Sequence, residues 1–415
     1  MSSTSLPFVR GKFAEYYKEN SSTIQPPSSI ERREFGFLLL ARRVMVRHKS
    51  FRNPKDLRSF LERTVPSHAY YSSAYYEEPE RDMANKGWLG ADLVFDIDAD
   101  HIPTACDKLH DTWICSNCRR TGKGETPRKC PSCDQQKFDE KAWSCEVCLE
   151  SAKTETMKLL DVLTKDFGFS SGELRVGFSG HRGYHVHVEN EAIKSLDSMA
   201  RKEIVDYLVG IGLETSFHGL KLSGEERAGI VVGPDLRGAG WRGRLAKGTY
   251  DLLLRATSEE LKKLGLTKSV IEDLVDHKEK LLESWKEGEA GPWGSIRNVG
   301  LKGWEKLAQY ATEDQSVKID TVVTTDIHRL IRLNNTLHGK TGFKKIEVPI
   351  TEIEGFDPFK EAIAFHKGAV TLAVSQAPEF RIGDENYGPY ENQRIELPTA
   401  AALFLLCKGA AMVVN

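Results

Sequence analysis

Leu93-Val-Phe-Asp96-Ile-Asp98-Ala-Asp100 is an apolar run that ends in alternating aspartates, and the reading of the whole chain turns on it. Successive side chains of an extended strand point to opposite faces, so Asp96 and Asp98 project from one face, about 7 Å apart along the strand. A buried pair of like charges is costly unless a proton or a cation neutralises it, and hard divalent cations prefer carboxylate oxygen. The pair is therefore a candidate magnesium or manganese seat. A strand end whose aspartates merely open a solvated loop carries the same letters, so the rest of the chain must decide.

Two later segments supply groups of the opposite charge. In Phe178-Ser-Gly-His-Arg-Gly-Tyr-His-Val-His-Val188, residues 174–179 and 184–188 are strand-like, and glycines at 180 and 183 permit a tight connection between them. The expected product is a hairpin tip bearing Ser179, His181, Arg182 and His185, with amide groups at the glycines able to hold phosphate oxygens. Farther on, Asp320 precedes Asp326-Ile-His-Arg-Leu-Ile-Arg332 and Thr336-Leu-His338-Gly-Lys340-Thr-Gly342. A carboxylate followed by cations and a hydroxyl in a glycine-containing loop suits a triphosphate held beside a metal.

Seven of the eight cysteines fall between Cys106 and Cys148, as the pairs 115/118, 130/133 and 145/148 with Cys106 left over. Paired thiolates at this spacing chelate zinc, whereas an intracellular chain is not expected to rely on disulfides. Cys115, Cys118, Cys130 and Cys133 form CxxC-x11-CxxC, which predicts a four-cysteine ribbon over residues 113–135 around the basic loop 119–129. Cys106, Cys145 and Cys148 need a fourth ligand, for which His110 and His101 compete. Cys407, in an apolar run, is expected in the core.

The aspartate, hairpin and 320–342 blocks, in this order, resemble the catalytic small subunit of archaeal and eukaryotic DNA primases, the archaeal branch more closely. The resemblance covers most of residues 10–350 and takes in Arg32-Arg33-Glu34-Phe35, the stretch 67–76 and Lys86-Gly-Trp88. It implies that Asp96, Asp98 and Asp320, the last eighteen residues before His338, bind catalytic Mg²⁺ or Mn²⁺, with Asp326 the rival by position. It implies nucleotide binding by Ser179, Arg182 and His185 of the SGxRGxH element, by His181 at a position that varies, and by Arg332 and His338. It assigns Cys106, His110, Cys145 and Cys148 to the family's zinc knuckle. The ribbon is then an insertion within residues 106–148, and the structural zinc ions number two.

The fold implied is an α/β (α+β) primase-type catalytic domain, discontinuous in sequence because Asp320 must return to Asp96 and Asp98. Residues 1–195 form its first part and 311–415 its second, with an inserted mainly helical domain at 196–310. The implied activity is nucleotidyl transfer: template-directed synthesis of short RNA primers, with DNA primers a further option, from NTPs or dNTPs on single-stranded DNA. The implied partners are a primase large subunit and the replication machinery. Two other classes compete. A metal-dependent nuclease could use the same carboxylates but has no need of a triphosphate-sized cation cluster, and a noncatalytic zinc-ribbon module leaves Asp96, Asp98 and the 320–342 block without purpose.

With 415 residues the chain can bury a large core, and two domains are expected. A formal charge of −2 means that phosphate contacts depend on local concentrations of cations. Arg32, Arg33, Arg42, Arg43, Arg47, Lys49 and Arg52 form one; Arg237, Arg242 and Arg244 form another. The N-terminus has no apolar signal core, and the run 400–414 is broken by Lys408, so a soluble cytoplasmic protein without a membrane partner is expected. Spacing predicts helices at 152–167, 197–210, 258–264 (capped by Ser258) and 268–286, and a loop at 288–294. Residues 344–397 alternate like strands, as in 346–350, with a loop at 384–392. Pro398-Thr399 and Gly409 bracket a buried terminal helix.

Overall fold

The computed structural model describes residues 5–40, 44–224, 229–286 and 292–414. Arg42, Arg43 and residues 288–291 of the predicted loop lie outside the described residues. The chain forms two compact units, one from residues 1–157, 170–202 and 319–415, the other from 158–169 and 203–318. Helices and strands are mixed along the chain, so the class is mixed α/β.

In the first unit an antiparallel sheet runs in the order Ile346–Val348, Leu174–Phe178, Gly183–Val188, Leu93–Asp98. Strand alternation sorts its residues by face. Leu93, Phe95 and Ile97 share one side with Tyr184, Val186, Val188, Leu174, Val176 and Phe178, all of them buried. Burying side chains of this size contributes about 1.5–3 kcal/mol each, and a one-residue slip would turn the whole set outward, so the core face fixes the register. On the opposite side Asp96 then lies across from His185 and Asp98 across from Gly183. Residue 183 must be glycine, because a Cβ there would strike the Ile97 carbonyl oxygen.

A second antiparallel sheet, ordered Leu330–Arg332, Pro66–Ser72, Phe35–Leu39, Met45–Lys49, places Arg332 opposite Tyr70. Buried ion pairs fasten this sheet to the chain entering Leu93. Arg33 Nη2 donates to Asp92 Oδ2 at 2.6 Å and Nη1 to the Ser72 and Ser73 carbonyls, while the Tyr75 hydroxyl donates to Asp92 Oδ1 at 2.8 Å. Glu34, fully buried, pairs with Lys86 at 3.1 Å and with Arg47 at 2.9 Å. Arg33 and Asp92 are buried on both sides, and removing Arg33 leaves the Asp92 charge uncompensated, at a cost of about 3–5 kcal/mol.

Several boundaries differ from the sequence expectation. The ribbon is a three-stranded sheet of Thr112–Cys115, Thr121–Lys123 and Phe138–Lys141, longer at both ends than 113–135. The helix expected at 152–167 is Glu146–Lys165; it begins between Cys145 and Cys148, where ligand spacing hides the helical period. Ser258 is the first residue of its helix, and Thr257 is the cap, its hydroxyl accepting from the Glu260 amide while Glu260 accepts from the Thr257 amide. The expected helix 268–286 is two, Lys268–Asp276 and Lys278–Lys286, interrupted at His277. The loop at 384–392 contains the strand Glu385–Tyr387, paired with Phe380–Ile382, and the strand at 346–350 stops at Val348, before Pro349.

Among its described residues the second unit is mainly helical, with one two-stranded sheet of Lys221–Ser223 and Ile230–Val232. Its core is centred on Trp285, Trp293 and Trp304, whose rings meet edge-on, the last two with centroids 5.0 Å apart. In the first unit the terminal helix Thr399–Lys408 ends at Gly409, whose φ of 66° suits glycine. Cys407 on that helix is only partly buried. Among the described residues no helix is long and apolar enough to cross a membrane.

Candidate active site and cysteine centres

Asp96 and Asp98 sit at the end of their strand, partly exposed on its polar face. The Asp320 amide donates to the Asp96 carbonyl at 2.8 Å, which brings the third carboxylate alongside, and Asp320 caps the short helix Thr321–Thr325 through the Val322 amide. Asp326 lies at the other end of that helix and accepts from the His328 amide. Burial, reinforced by the charges of Asp98 and Asp320, pushes the Asp96 carboxyl up to about 7. Burial also raises Asp98, against the opposing pull of Arg182, His101, Lys340 and Lys108. Crowded carboxylates of this kind favour a bound cation.

Facing them is a cluster of cations and imidazoles. The hairpin tip is held by Ser144, whose hydroxyl donates to the His181 carbonyl at 2.9 Å, and by Thr341, whose hydroxyl donates to the Gly180 carbonyl at 2.6 Å. The second bond joins the tip to the 336–342 loop. The His338 ring stacks on His181 with centroids 5.0 Å apart and meets His68 edge-on at 4.7 Å. Lys408, from the terminal helix, donates to His181 Nε2 at 3.0 Å, and Arg332 donates to His68 Nδ1 at 2.5 Å. Lys340 donates its amide to His338 Nδ1 at 3.2 Å, so the neutral His338 ring carries its proton on Nε2. Burial, together with the charges of Arg332, Lys340 and Lys408, holds His68, His181 and His338 well below the usual histidine range.

The predicted tip residues are not solvent-facing. Ser179, His181, Arg182 and His185 are all buried. His185 Nε2 lies 3.4 Å from Asp96 Oδ1, while its Nδ1 has no hydrogen-bond partner among the described residues. Arg182 commits its Nη atoms to Asp100, Asp111 and the Trp143 carbonyl, so its charge reaches the site although its fork does not. Sequence reasoning missed His68 and Lys408 as members of this cluster. Lys408 had a signal: a lone cation in an apolar helix needs a partner.

Among the described residues two groups bring four ligand atoms within 4.8 Å of one another: Cys106, His110, Cys145 and Cys148, and Cys115, Cys118, Cys130 and Cys133. The three aspartates are not among such groups. His110 Nε2 stands 3.5 Å from Cys106 Sγ and 3.4 Å from Cys148 Sγ, whereas His101 lies exposed on the turn after Asp98. Each group suits tetrahedral zinc in donor type and number.

The profile described as DNA primase small subunit matches residues 133–352, more than half of the chain. The chain belongs to the DNA primase small subunit family. Proteins named DNA primase small subunit are similar over nearly the whole length: that of Archaeoglobus fulgidus at 37% identity over 97% of both chains, and that of Methanothrix thermoacetophila at 34% over 100% of both. That of Nitrosopumilus maritimus is 30% identical over 100% of both. The chain is accordingly a primase-type nucleotidyltransferase, the catalytic subunit, and nothing in these likenesses favours a nuclease or a noncatalytic zinc module.

Proposed function

We propose that the first compact unit is the catalytic domain, interrupted in sequence by the mainly helical unit, and that it synthesises primers on single-stranded DNA. The observation that carries this reading is the electrostatic pairing of the site: crowded carboxylates on one strand, opposed by cations and imidazoles of depressed basicity. Asp96 and Asp98, with Asp320, would hold two divalent ions, Mg²⁺ or Mn²⁺. Such ions lower the pKa of an attacking 3′ hydroxyl and neutralise the leaving pyrophosphate. Arg332 and Lys408 supply charge to the triphosphate, His338 donates from Nε2, and Ser179, His181 and His185 line the approach. Arg182 adds its charge from behind Asp98. Positioning and charge stabilisation then account for most of the rate.

The two cysteine groups would each hold one structural zinc ion, their four protein ligands leaving no open position for water. A primase large subunit is the expected partner, NTPs and dNTPs the substrates, and the cytoplasmic replication machinery the setting.

Incorporation of labelled NTPs and dNTPs on single-stranded DNA, with Mg²⁺ or Mn²⁺ and with or without a supplied primer, tests the reading. Metal-dependent product that disappears in Asp96→Ala, Asp98→Ala and Asp320→Ala is expected. Persistence of full activity in any one of the three would remove that aspartate from the site, and no incorporation by a folded, zinc-loaded wild type would sink the proposal.

A further inference from the structure

Asp111 has no part in that mechanism, yet it stands at a junction. His110 turns Nε2 toward the Cys106 and Cys148 sulfurs and donates from Nδ1 to Asp111 Oδ1 at 2.7 Å. The same oxygen accepts from the Trp143 amide at 2.8 Å, and Oδ2 accepts from Arg182 Nη1 at 2.5 Å. Arg182 is 2% exposed. Its Nη2 pairs with Asp100, its carbonyl accepts from the Ala99 amide at 3.2 Å, and its charge bears on Asp98. One buried guanidinium is thus shared between a carboxylate beside a cysteine-group ligand and the carboxylates at the end of the aspartate strand.

We propose that Asp111 is a positioning residue that couples the Cys106–His110–Cys145–Cys148 centre to the metal-binding aspartates by holding Arg182 back from Asp98. The proposal rests on the reading that the aspartates bind divalent ions and that the centre binds zinc. A carboxylate on the far nitrogen of a ligating imidazole fixes its tautomer and orientation, and losing it lowers metal affinity roughly 10–100-fold. The same carboxylate takes up part of the Arg182 charge. Without Asp111 that charge falls wholly on Asp98 and Asp100, where it competes with a divalent ion. Without Arg182 the competitor is gone.

The two substitutions therefore act in opposite directions on one quantity, which loosened packing does not do. Mn²⁺ binding to nucleotide-free full-length protein, followed by electron paramagnetic resonance alongside chelator-driven zinc release, is to be compared for wild type, Asp111→Asn, Arg182→Gln and the double variant. Asp111→Asn should weaken Mn²⁺ binding several-fold and speed zinc loss from one of two centres. Arg182→Gln should bind Mn²⁺ at least as tightly as wild type, and adding it to Asp111→Asn should restore Mn²⁺ affinity. Wild-type Mn²⁺ affinity in Asp111→Asn, or additive weakening by the two changes, would overturn the coupling. Should Asp111→Asn not fold, Arg182→Gln decides alone: retained or tighter Mn²⁺ binding supports the proposal and weakened binding overturns it. Wild-type protein that binds no Mn²⁺, or Asp96→Asn that binds it normally, would instead defeat the underlying site reading, and the coupling with it.

Discussion

Asp96, Asp98 and Asp320 come from one strand and one helix cap, joined by the backbone hydrogen bond from the Asp320 amide to the Asp96 carbonyl. The cationic side of the site draws on more of the fold. Arg332 comes from the second sheet, His181 from the hairpin tip, His338 and Lys340 from a loop, and Lys408 from the terminal helix. Both sides crowd like charges, and in both a ligand of opposite sign would relieve the strain of that crowding. The expected difference lies in redundancy: an acidic side of three groups would have none to spare, whereas a cationic side of many could lose one.

The largest effect is expected from Asp96→Asn. It should reduce incorporation by about 10³-fold or more, about 4 kcal/mol of barrier. Since the partly exposed carboxyl is raised to about 7, the same change should increase thermal stability measured without Mg²⁺ or Mn²⁺. Lost activity without that gain would break the symmetry between the two sides.

Arg332→Ala comes next, with kcat/KM for nucleotide down roughly 10²-fold, about 2–3 kcal/mol. A loss as deep as that of Asp96→Asn would show that the cationic side has no redundancy. Lys408→Met should raise KM for nucleotide only several-fold, read from steady-state incorporation. Burial, with the Arg182 and Lys340 charges, holds the Lys408 ammonium down at about 7. Between about 7 and the ordinary lysine range the unfolded chain binds the extra proton, so apoprotein stability should rise with pH across that window. In Lys408→Met that slope should shrink, as urea titrations at several pH values would reveal.

The smallest effect is assigned to the ribbon. Cys130→Ser should lower the zinc count by one and leave incorporation within about twofold, since the carboxylate–imidazole link through Asp111 belongs to the other centre. A deep loss of incorporation would place the ribbon in the reaction path.

The acidic side was legible in the sequence because a period of two puts Asp96 and Asp98 on one face whatever surrounds them. The hairpin was legible for a similar reason, with glycines at 180 and 183 marking the connection. His68 and Lys408 were not, because they join His181 and His338 through sheet packing and a terminal helix, and no local period encodes that meeting. The start of the helix Glu146–Lys165 was hidden because Cys148, inside its first turn, pairs with Cys145 before it in a CxxC spacing that reads as a ligand motif rather than as a helical period. The break at His277 was hidden because both halves keep helical spacing across it.

Burial, and after it the charges of neighbouring cations, holds the three imidazoles at His68, His181 and His338 well below the usual histidine range in the free protein. A triphosphate bound among them would oppose the cationic charges, and the rings would then accept protons more readily. Nucleotide binding would draw protons from the medium near neutrality. Calorimetric titrations in two buffers of different ionisation enthalpy would record that uptake as a difference in apparent heat, and alkaline solution would weaken binding by withholding the protons.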